Sequence, residues 1–446
     1  MAKKIVKSTT SREALKNAPA AYFKSITLQN VKCFKGKQTI DLSDGNGKPA
    51  HWTVILGNNN TGKTTILKAL SLLEPSKVKS KDKTMLTTLD YTFDPSYPNR
   101  RLIKRDEEPL NDEQSGVLAD IYLKDINQNH YEKYNEPWYF FNDFWLARDT
   151  TKLENLKLFP FAAIRKMATS NLSENEKYDK HAHFFEGQDL ENVEEWILQL
   201  TLAENQGQQK AGEILNQIRK IIKSGLLPDL KNKDFEVKSE QKGVRFENFV
   251  LFDTDYGKLR LRDLGYGYQS MMAWVLDLVR RMVERYPDSK NPLEEPAIVL
   301  VDEIDLHLHP EWQRKIIAHL TKYFPNTQFI VTAHSPLIVQ SAENINVVIL
   351  RKEGDHTLIE QPKMRNFRGW TVEEILSDLM DLDGKTMSET YLNLVNAFTE
   401  GIENDDVEKS QNAYKALDKI LHPRSELRKL FRLEMTALTP LSITTL

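Results

Sequence analysis

The chain has 446 residues, enough for one large domain with insertions or for two to three smaller units. Its 61 Lys and Arg residues nearly balance 64 Asp and Glu residues, which excludes a strong global attraction to nucleic acid and leaves only local patches. A single cysteine, Cys33, excludes a disulfide framework and a cysteine-based zinc site. Because no apolar run reaches about 18 residues, we expect no membrane-spanning helix and a cytoplasmic location.

The first part of the chain predicts a flexible N-terminus followed by a small β-lobe. Residues 1–20 carry lysines but no apolar signal-peptide core, so we predict a flexible basic segment. Residues 22–30 alternate as a strand does, with Ile26 and Leu28 on one face, and residues 38–42 form a second candidate strand. A turn then leads into a third, apolar strand over residues 52–56.

A glycine-rich loop follows this third strand and precedes a segment with helical spacing. It reads G-x-x-x-x-G-K-T, and its backbone N–H groups would point at phosphates. Lys63 would reach the β- and γ-phosphates, and the Thr64 hydroxyl would bind Mg²⁺. The alternative is an ordinary strand–helix turn, but every fixed position of the motif matches. We predict an ATP site made by Gly57, Asn58, Asn59, Asn60, Thr61, Gly62, Lys63, Thr64 and Thr65.

The next segment, from about residue 75 to about 232, is predicted to be a helical insertion because residues 190–200 and 213–222 have helical spacing. Basic runs at 77–83 and 100–105 fit solvated loops better than contacts to a phosphate backbone, since acidic residues dilute the second run. The aromatic-rich segment 131–145 is predicted to pack in a core or an interface rather than stack on bases.

A second glycine-containing loop spans residues 264–270 and leads into a predicted helix over 271–286. A loop of this kind at a helix start favours an anion. The pattern Gly-Tyr-Gly-Tyr is common in turns, so the prediction depends on its position between the phosphate loop and an acidic strand. We predict that Leu264, Gly265, Gly267 and Gln269 contribute to the nucleotide site.

The acidic strand covers residues 296–303 and is continuously apolar until Asp302 and Glu303. Ligands bind at the carboxyl ends of such strands in α/β folds. We predict that Asp302 holds Mg²⁺ and that Glu303 polarises the attacking water as the general base. A solvent-facing Asp-Glu pair is the alternative, and the upstream phosphate loop argues against it.

Two further polar positions follow the acidic strand. Asp305 lies in the loop before the next helix, and His334 ends another buried-type strand over residues 328–333. His307 and His309 lack an obvious third ligand, so we do not predict a metal site there. A hairpin over residues 347–360 and a helical tail complete the chain.

The segment 23–70, with the strand end Leu-Gln-Asn-Val-Lys-Cys-Phe, resembles the RecF/SMC-type ATPases, the DNA-associated branch of the ABC ATPase fold. The resemblance implies that residues 264–269 are the signature loop, which meets the γ-phosphate of ATP held by another subunit. It also implies that Asp305 belongs to the D-loop at the dimer interface and that His334 is the switch histidine. Gly265 stands where the family usually has serine, so slow turnover is expected. The Q-loop glutamine is not placed; Gln114 and Gln128 are the only candidates considered.

The compact layout and the tail residues 369–376 resemble the PtuA ATPases of bacterial Septu anti-phage systems. This resemblance implies a regulatory or sensor subunit that forms a head-to-tail dimer or a higher homo-oligomer and controls a separate HNH nuclease (PtuB-like). Nucleic acid is a further candidate partner. A RecF/SMC-like DNA repair or recombination ATPase is the main alternative, and a transporter ATPase subunit is a weaker one.

The predicted fold class is therefore α/β. We expect an ABC/SMC-type P-loop ATPase core with an N-terminal β-lobe, an internal helical insertion and a C-terminal helical tail. The predicted domains are the flexible segment 1–20, the ATPase domain 21–362 and the C-terminal helical region 363–446. Aspartates at 378, 381 and 383 do not lie at strand ends, so we predict no built-in nuclease domain.

Overall fold

A computed structural model describes residues 19–74, 76–79, 84–87, 116–124, 131–133, 138–141, 144–146, 156–168, 183–185, 187–223, 230–254, 257–382 and 387–438. Within these ranges the chain forms two compact units, Met1–Ile375 and Leu376–Leu446. This division falls later than the predicted boundary at 362/363. Among the described residues, no helix is both long enough and apolar enough to cross a bilayer.

The strands of the first unit are β1 (Ala20–Val31), β2 (Phe34–Asp41), β3 (Trp52–Gly57), β4 (Ser76–Lys79), β5 (Thr84–Thr87), β6 (Gly116–Lys124), β7 (Tyr131–Lys133), β8 (Trp138–Phe141), β9 (Phe144–Leu146), β10 (Leu158–Phe161), β11 (Leu230–Lys242), β12 (Arg245–Thr254), β13 (Gly257–Arg260), β14 (Ala297–Val301), β15 (Thr327–Thr332), β16 (Asn346–Glu353) and β17 (His356–Glu360).

The helices are α1 (Lys63–Leu72), α2 (Val193–Asn205), α3 (Gln209–Ile221), α4 (Tyr266–Arg285), α5 (Pro310–Gln313), α6 (Ile316–Tyr323), α7 (Pro336–Ser341), α8 (Val372–Met380), α9 (Glu389–Glu403), α10 (Val407–Ile420) and α11 (Glu426–Leu438). A capping box precedes α8: Thr371 Oγ1 accepts from the Glu374 N–H, and Glu374 Oε2 accepts from the Thr371 N–H.

A central sheet with strand order β10-β14-β15-β3-β16-β17 is the frame of the first unit. Its first five strands are parallel, and β17 pairs antiparallel with β16. Every residue of β3, β14 and β15 is buried, which explains the apolar run that each of these strands contains. Because these three strands are neighbours and parallel, the loops that follow them meet at one edge of the sheet.

The predicted N-terminal β-lobe is present as a second sheet with the order β2-β1-β6-β8-β9, in which β7 also pairs with β6. Ile26 and Leu28 share its buried face, as predicted. The interval from 75 to 232 is therefore only partly helical. Strands β6 to β9 also lie in this interval. In β6, Val117, Ala119 and Ile121 are buried at every second position, as expected for a strand.

Helices α2 and α3 account for the helical half of that interval. The hairpin β11–β12 and strand β13 then form a separate three-stranded sheet, and α4 follows as a long helix that is mostly buried. The basic run 100–105, Gln114 and Gln128 lie outside the described residues. Side chains of the aromatic segment 131–145 are likewise not described, although β7, β8 and β9 lie within it.

The second unit is a small helical region built around its own core. Phe398 of α9, Leu417 of α10 and Phe431 of α11 are buried together. The Phe398 and Phe431 rings pack edge to face with centroids 5.0 Å apart. The C-terminal helical tail expected from the sequence is thus an independently packed cluster.

Candidate nucleotide-binding site

The glycine-rich loop connects the end of β3 to the start of α1, as its motif predicts. The Lys63 side chain is only 7% exposed and folds back over the loop. Its Nζ donates to the backbone oxygens of Gly57 at 2.7 Å and Asn58 at 3.0 Å. Asn58, Asn59 and Asn60 form the exposed tip. Within the described part of the chain, the hydrogen-bond partners of the Lys63 ammonium are thus two carbonyl oxygens of its own loop.

Two glycines make this loop conformation feasible. Gly57 has φ +154°, and a Cβ there would lie 2.7 Å from Thr61 Oγ1 and 2.9 Å from the Leu350 carbonyl oxygen. Gly62 has φ +96°, and a Cβ there would lie 2.6 Å from Cys33 Sγ. The turn between β1 and β2 therefore supports the loop from behind. The sequence does not indicate this role of Cys33.

The start of α1 has the properties of an anion site. Its N-cap, Gly62, supplies no side-chain acceptor, and no acidic residue lies in the first turn. The N–H groups at this end and the positive end of the helix dipole are therefore left for a ligand. Together with the Lys63 ammonium, they fit the phosphates of a nucleotide.

The Thr64 hydroxyl and the Asp302 carboxylate meet at the edge of the sheet. Thr64 Oγ1 donates to Asp302 Oδ2 at 2.7 Å, and Thr332 Oγ1 donates to Asp302 Oδ1 at 2.6 Å. Thr64 is exposed, whereas Asp302 is 5% exposed. A hydroxyl beside a carboxylate is the oxygen donor set that Mg²⁺ prefers, so these residues fit the predicted metal ion.

Glu303 follows Asp302 in an unusual backbone conformation, with φ +48°. Its N–H donates to Thr332 Oγ1 at 2.6 Å, and the next N–H, that of Ile304, donates to the Thr332 carbonyl oxygen at 2.9 Å. The Glu303 side chain is partly exposed. Strand β15 thus fixes the backbone that carries this carboxylate while the carboxylate itself keeps access to the site.

Asp305 and His334 are joined through the main chain. The His334 N–H donates to Asp305 Oδ2 at 3.0 Å, and the His334 side chain is exposed at the end of β15. Asp305 is 9% exposed, and among the described residues its buried Oδ1 has no hydrogen-bond partner.

No cluster of three or more His, Cys, Asp or Glu side chains suited to a metal ion occurs in the described ranges, and His307 and His309 are no exception. The Thr64 and Asp302 pair is a different type of site, because Mg²⁺ keeps waters and phosphate oxygens as its remaining ligands.

Arg165, which the sequence analysis did not identify, lies beneath the acidic residues. It follows β10, the strand beside β14, and is only 2% exposed. Its Nη1 donates to the Asp302 carbonyl oxygen at 2.6 Å, and its Nη2 donates to the Glu303 carbonyl oxygen at 2.9 Å. No motif surrounds Arg165 in the sequence, so only the pairing of β10 with β14 reveals it.

Burial affects the ionisation of both cations at this edge. Desolvation lowers the pKa of Lys63, and the nearby Asp302, Glu303 and Asp305 carboxylates oppose that effect. Desolvation also lowers the pKa of Arg165 to about 10, again against the same three carboxylates. With a pKa of about 10, Arg165 remains cationic at neutral pH, so the site places Lys63 and a buried guanidinium beside three acidic groups.

The predicted signature loop begins α4 with the same features as the start of α1. Gly265 is the N-cap, it provides no side-chain acceptor, and the first turn contains no acidic residue. The Tyr266 side chain is 46% exposed. The Gln269 amide nitrogen donates to the Leu264 carbonyl oxygen at 2.7 Å, so this side chain holds its own loop together.

The signature loop packs on the segment that contains Asp305. A Cβ on Gly267 would lie 2.4 Å from the His307 carbonyl oxygen, so only glycine permits this approach. The Tyr266 and His307 rings pack edge to face with centroids 4.7 Å apart. The structure therefore brings Lys63, Thr64 and Asp302 together with the ends of β14 and β15, whereas the signature loop bonds within itself and contacts the D-loop segment.

Comparisons with known proteins agree with this geometry. A family model described as "AAA domain, putative AbiEii toxin, Type IV TA system" matches residues 52–340, which is well over half of the chain. "Septu protein PtuA" of Bacillus thuringiensis is 26% identical over 393 residues, covering 86% of this chain and 91% of that protein. The resemblance to PtuA ATPases is thereby confirmed.

Other relatives share parts of their length with this chain. "Septu protein PtuA" of Bacillus mycoides is 24% identical over 90% of this chain and 51% of that protein. "Retron Ec83 probable ATPase" of Escherichia coli is 36% identical over 33% of this chain and 27% of that protein. The chain thus spans about half or less of these two relatives.

Among solved structures, "Crystal structure of the SmcHead bound to the C-winged helix domain of ScpA" aligns with a TM-score of 0.37 and 14% identity over 76% of this chain and 97% of that one. The predicted fold class, a P-loop ATPase core of α/β type, is confirmed by the parallel sheet and the family match. The chain binds nucleotide and is an ATPase that belongs to the AAA domain family described as putative AbiEii toxin, Type IV TA system.

Proposed function

We propose that this ATPase is a nucleotide-controlled switch of a bacterial anti-phage defence complex, in which it is the regulatory or sensor subunit beside a separate HNH nuclease. The observation that carries the nucleotide half of the proposal is the Thr64–Asp302 hydrogen bond, which joins the phosphate loop to the acidic strand. The defence role is supported by the alignment with Septu protein PtuA over most of both chains.

In the proposed site the phosphate loop and the start of α1 hold the phosphates. The Lys63 ammonium would exchange its loop carbonyl partners for phosphate oxygens, which are stronger acceptors because they are charged. Thr64 and Asp302 would hold Mg²⁺, which supplies charge neutralisation at the phosphates. Thr332 keeps the Asp302 carboxylate oriented by donating to its Oδ1.

Glu303 is the proposed general base and His334 the proposed γ-phosphate contact. The Glu303 carboxylate lies at the carboxyl edge of the sheet, is partly exposed and would accept a proton from the attacking water. His334 is exposed at the end of the adjacent strand, and its backbone N–H is tied to Asp305. Binding at this edge would thereby be communicated to the D-loop segment.

The signature loop of a second copy would complete each site. Supporting this, the start of α4 is uncapped, carries no acidic residue in its first turn, and exposes Tyr266 beside it. Such a helix start attracts anions. A head-to-tail dimer, or a higher homo-oligomer built from it, would place two Mg·ATP between the copies. Gly265 lacks the family's serine hydroxyl, so slow turnover is expected.

The proposal is tested by expressing the chain together with its neighbouring genes, among which we expect an HNH nuclease, and purifying the tagged ATPase with and without Mg·ATP. We expect the nuclease to co-purify, and we expect nucleotide to change the assembly size measured by light scattering. Recovery of no nuclease would overturn the partner. Nanomolar, steeply salt-dependent binding to DNA ends or gaps without any nuclease would instead favour a DNA repair ATPase.

A further inference from the structure

We propose that Arg165 is a positioning residue, which fixes the peptide groups on both sides of Glu303 and thereby aims its carboxylate. The inference deepens the proposed function, because it takes Glu303 as the general base. Among the described residues, the side-chain hydrogen bonds of Arg165 all go to backbone carbonyl oxygens. It acts on the main chain of the two acidic residues.

Arg165 uses both terminal nitrogens of its guanidinium to bind backbone carbonyl oxygens. Nη1 donates to the Asp302 carbonyl oxygen at 2.6 Å and to the Ala162 carbonyl oxygen at 3.0 Å. Nη2 donates to the Glu303 carbonyl oxygen at 2.9 Å. One planar side chain therefore bridges two successive carbonyls of the acidic segment and ties both to the end of β10.

This bridge lies where the backbone needs support. Glu303 has φ +48°, a region that is unfavourable for a non-glycine residue and persists only where the surrounding structure imposes it. Thr332 Oγ1 accepts the Glu303 N–H from one side, and Arg165 binds the Glu303 carbonyl from the other. The two peptide groups that set the direction of the Glu303 Cα–Cβ bond are therefore both fixed.

The choice of arginine follows from geometry. A guanidinium presents several N–H donors in a fixed plane, so it can span two carbonyls, whereas the lysine ammonium is a single point of donation on a flexible stem. Burial of the charge is costly, as the lowered pKa of Arg165 indicates. A side chain that only filled space at this position could be apolar and would avoid that cost.

The segment that carries Arg165 is itself held in place. The Ala162 N–H donates to His183 Nε2 at 3.2 Å, and His183 is fully buried. Ala162 also supplies the carbonyl that anchors Arg165 Nη1. The bridge from β10 to the acidic segment is thus backed by a second buried polar contact.

The test is a double-mutant cycle of Arg165→Lys with Glu303→Gln in the full-length chain, read as ATP turnover and as Kd for ATP. We expect Arg165→Lys to lower kcat about 100-fold, because a displacement of about 1 Å at a reacting group costs that much, and to change the Kd by less than about 3-fold. In the Glu303→Gln background, Arg165→Lys should lower kcat no further, since the group that it aims is gone.

The matched control is Arg280→Lys, a change at another buried arginine. Its side chain is 6% exposed and pairs with Asp277 and Glu284 rather than with the acidic segment. We expect Arg280→Lys to lower thermal stability without separating kcat from Kd. Turnover of Arg165→Lys within about 3-fold of the parent overturns the positioning role, as does an additive loss in the Glu303→Gln background.

If Arg165→Lys does not fold, Arg165→Gln is measured in the same cycle, because a neutral amide can still donate to one carbonyl. Failure of both variants to fold overturns the proposal in favour of a purely structural arginine. The proposed function fails separately: if Glu303→Gln alone turns over ATP at the parent rate, the base is wrong whatever Arg165 does.

Discussion

The two glycine loops of the first unit begin helices in the same way but differ in what surrounds them. Both α1 and α4 start at a glycine N-cap with no side-chain acceptor and no acidic first turn. The loop before α1 is held by hydrogen bonds from Lys63, and the Thr64–Asp302 hydrogen bond joins the start of α1 to the end of β14. In the loop before α4, Gln269 donates to the Leu264 carbonyl oxygen, and Gly267 packs against the segment that contains His307.

One chain therefore brings together the groups of the proposed phosphate and metal site, but it contributes only one side of the proposed contact between copies. The first loop can recognise a nucleotide with the groups already beside it. The second has an uncapped helix start and an exposed Tyr266, and its proposed ligand belongs to another copy. Substitutions in the first loop should therefore lower ATP affinity, whereas substitutions in the second loop should lower ATP-driven association between copies.

The largest expected effect is that of Glu303→Gln. Loss of the general base should lower turnover about 100- to 10,000-fold while ATP remains bound, because the amide cannot accept the proton but preserves shape. Phosphate release and ATP binding are measured in parallel. Glu311→Gln, at an exposed glutamate of α5 that pairs with Lys315, is the control. Hydrolysis by Glu303→Gln at the parent rate would show that the base is another group.

The next effect concerns affinity rather than turnover. Lys63→Ala removes a cation that is 7% exposed and surrounded by the phosphate loop, so ATP affinity should fall about 100-fold or more. Isothermal titration calorimetry measures it. Lys68→Ala is the control, because Lys68 lies on the same helix but over the Phe185 ring, 5.3 Å from its centroid. Equal losses in the two variants would contradict a specific role for Lys63.

A smaller effect separates the two glycines of the second loop. A Cβ on Gly265 would meet only the Tyr268 ring at 3.8 Å, whereas one on Gly267 would lie 2.4 Å from the His307 carbonyl oxygen. Gly265→Ala should therefore keep its thermal stability yet lower ATP-driven association about 10-fold if a partner approaches this loop. Gly267→Ala should lower both.

Thermal unfolding and light scattering with Mg·ATP distinguish the two glycine variants. A Gly265→Ala protein that associates as the parent does would remove the main physical argument for a nucleotide shared between copies. A Gly267→Ala protein with parent stability would show that the D-loop segment yields to the added methyl group.

The smallest effect is a pH dependence of stability at the buried edge. Burial lowers the pKa of His183 from 6.5 to about 4, so the unfolded chain takes up a proton that the folded chain refuses. The stabilisation is full above the unfolded pKa and is lost as pH falls toward the folded pKa. Between about pH 7 and about pH 5.5 the loss at this one group is about 1 kcal/mol.

Urea unfolding of the parent and of His183→Gln at both pH values measures this term, because glutamine does not titrate. The difference in unfolding free energy between the two proteins should shrink by about 1 kcal/mol at the lower pH. A difference that does not change with pH would show that folding leaves the pKa of His183 near its ordinary value.

The local sequence predicted the elements that carry the site because each has a self-contained signal. Strand β3, the loop to Lys63 and helix α1 follow from an apolar run, two glycines and helical spacing. The unbroken apolar sequence of β14 predicts that strand. A similar apolar run predicts β15, which ends just before His334. For residues 75–232, helical spacing predicts only part of the structure, because the interval also contains β6, whose buried residues alternate as in a strand.

The chemistry of the phosphate loop and of the acidic strand end can be read from the sequence, because spacing along one short segment fixes which groups are neighbours. The contacts between distant segments become visible only in the folded chain: Cys33 behind Gly62, Thr332 on Asp302, and Arg165 beneath Glu303. Those contacts depend on which strands become neighbours in the sheet. Strand order arises from packing of the whole unit and leaves no pattern in any single stretch of residues.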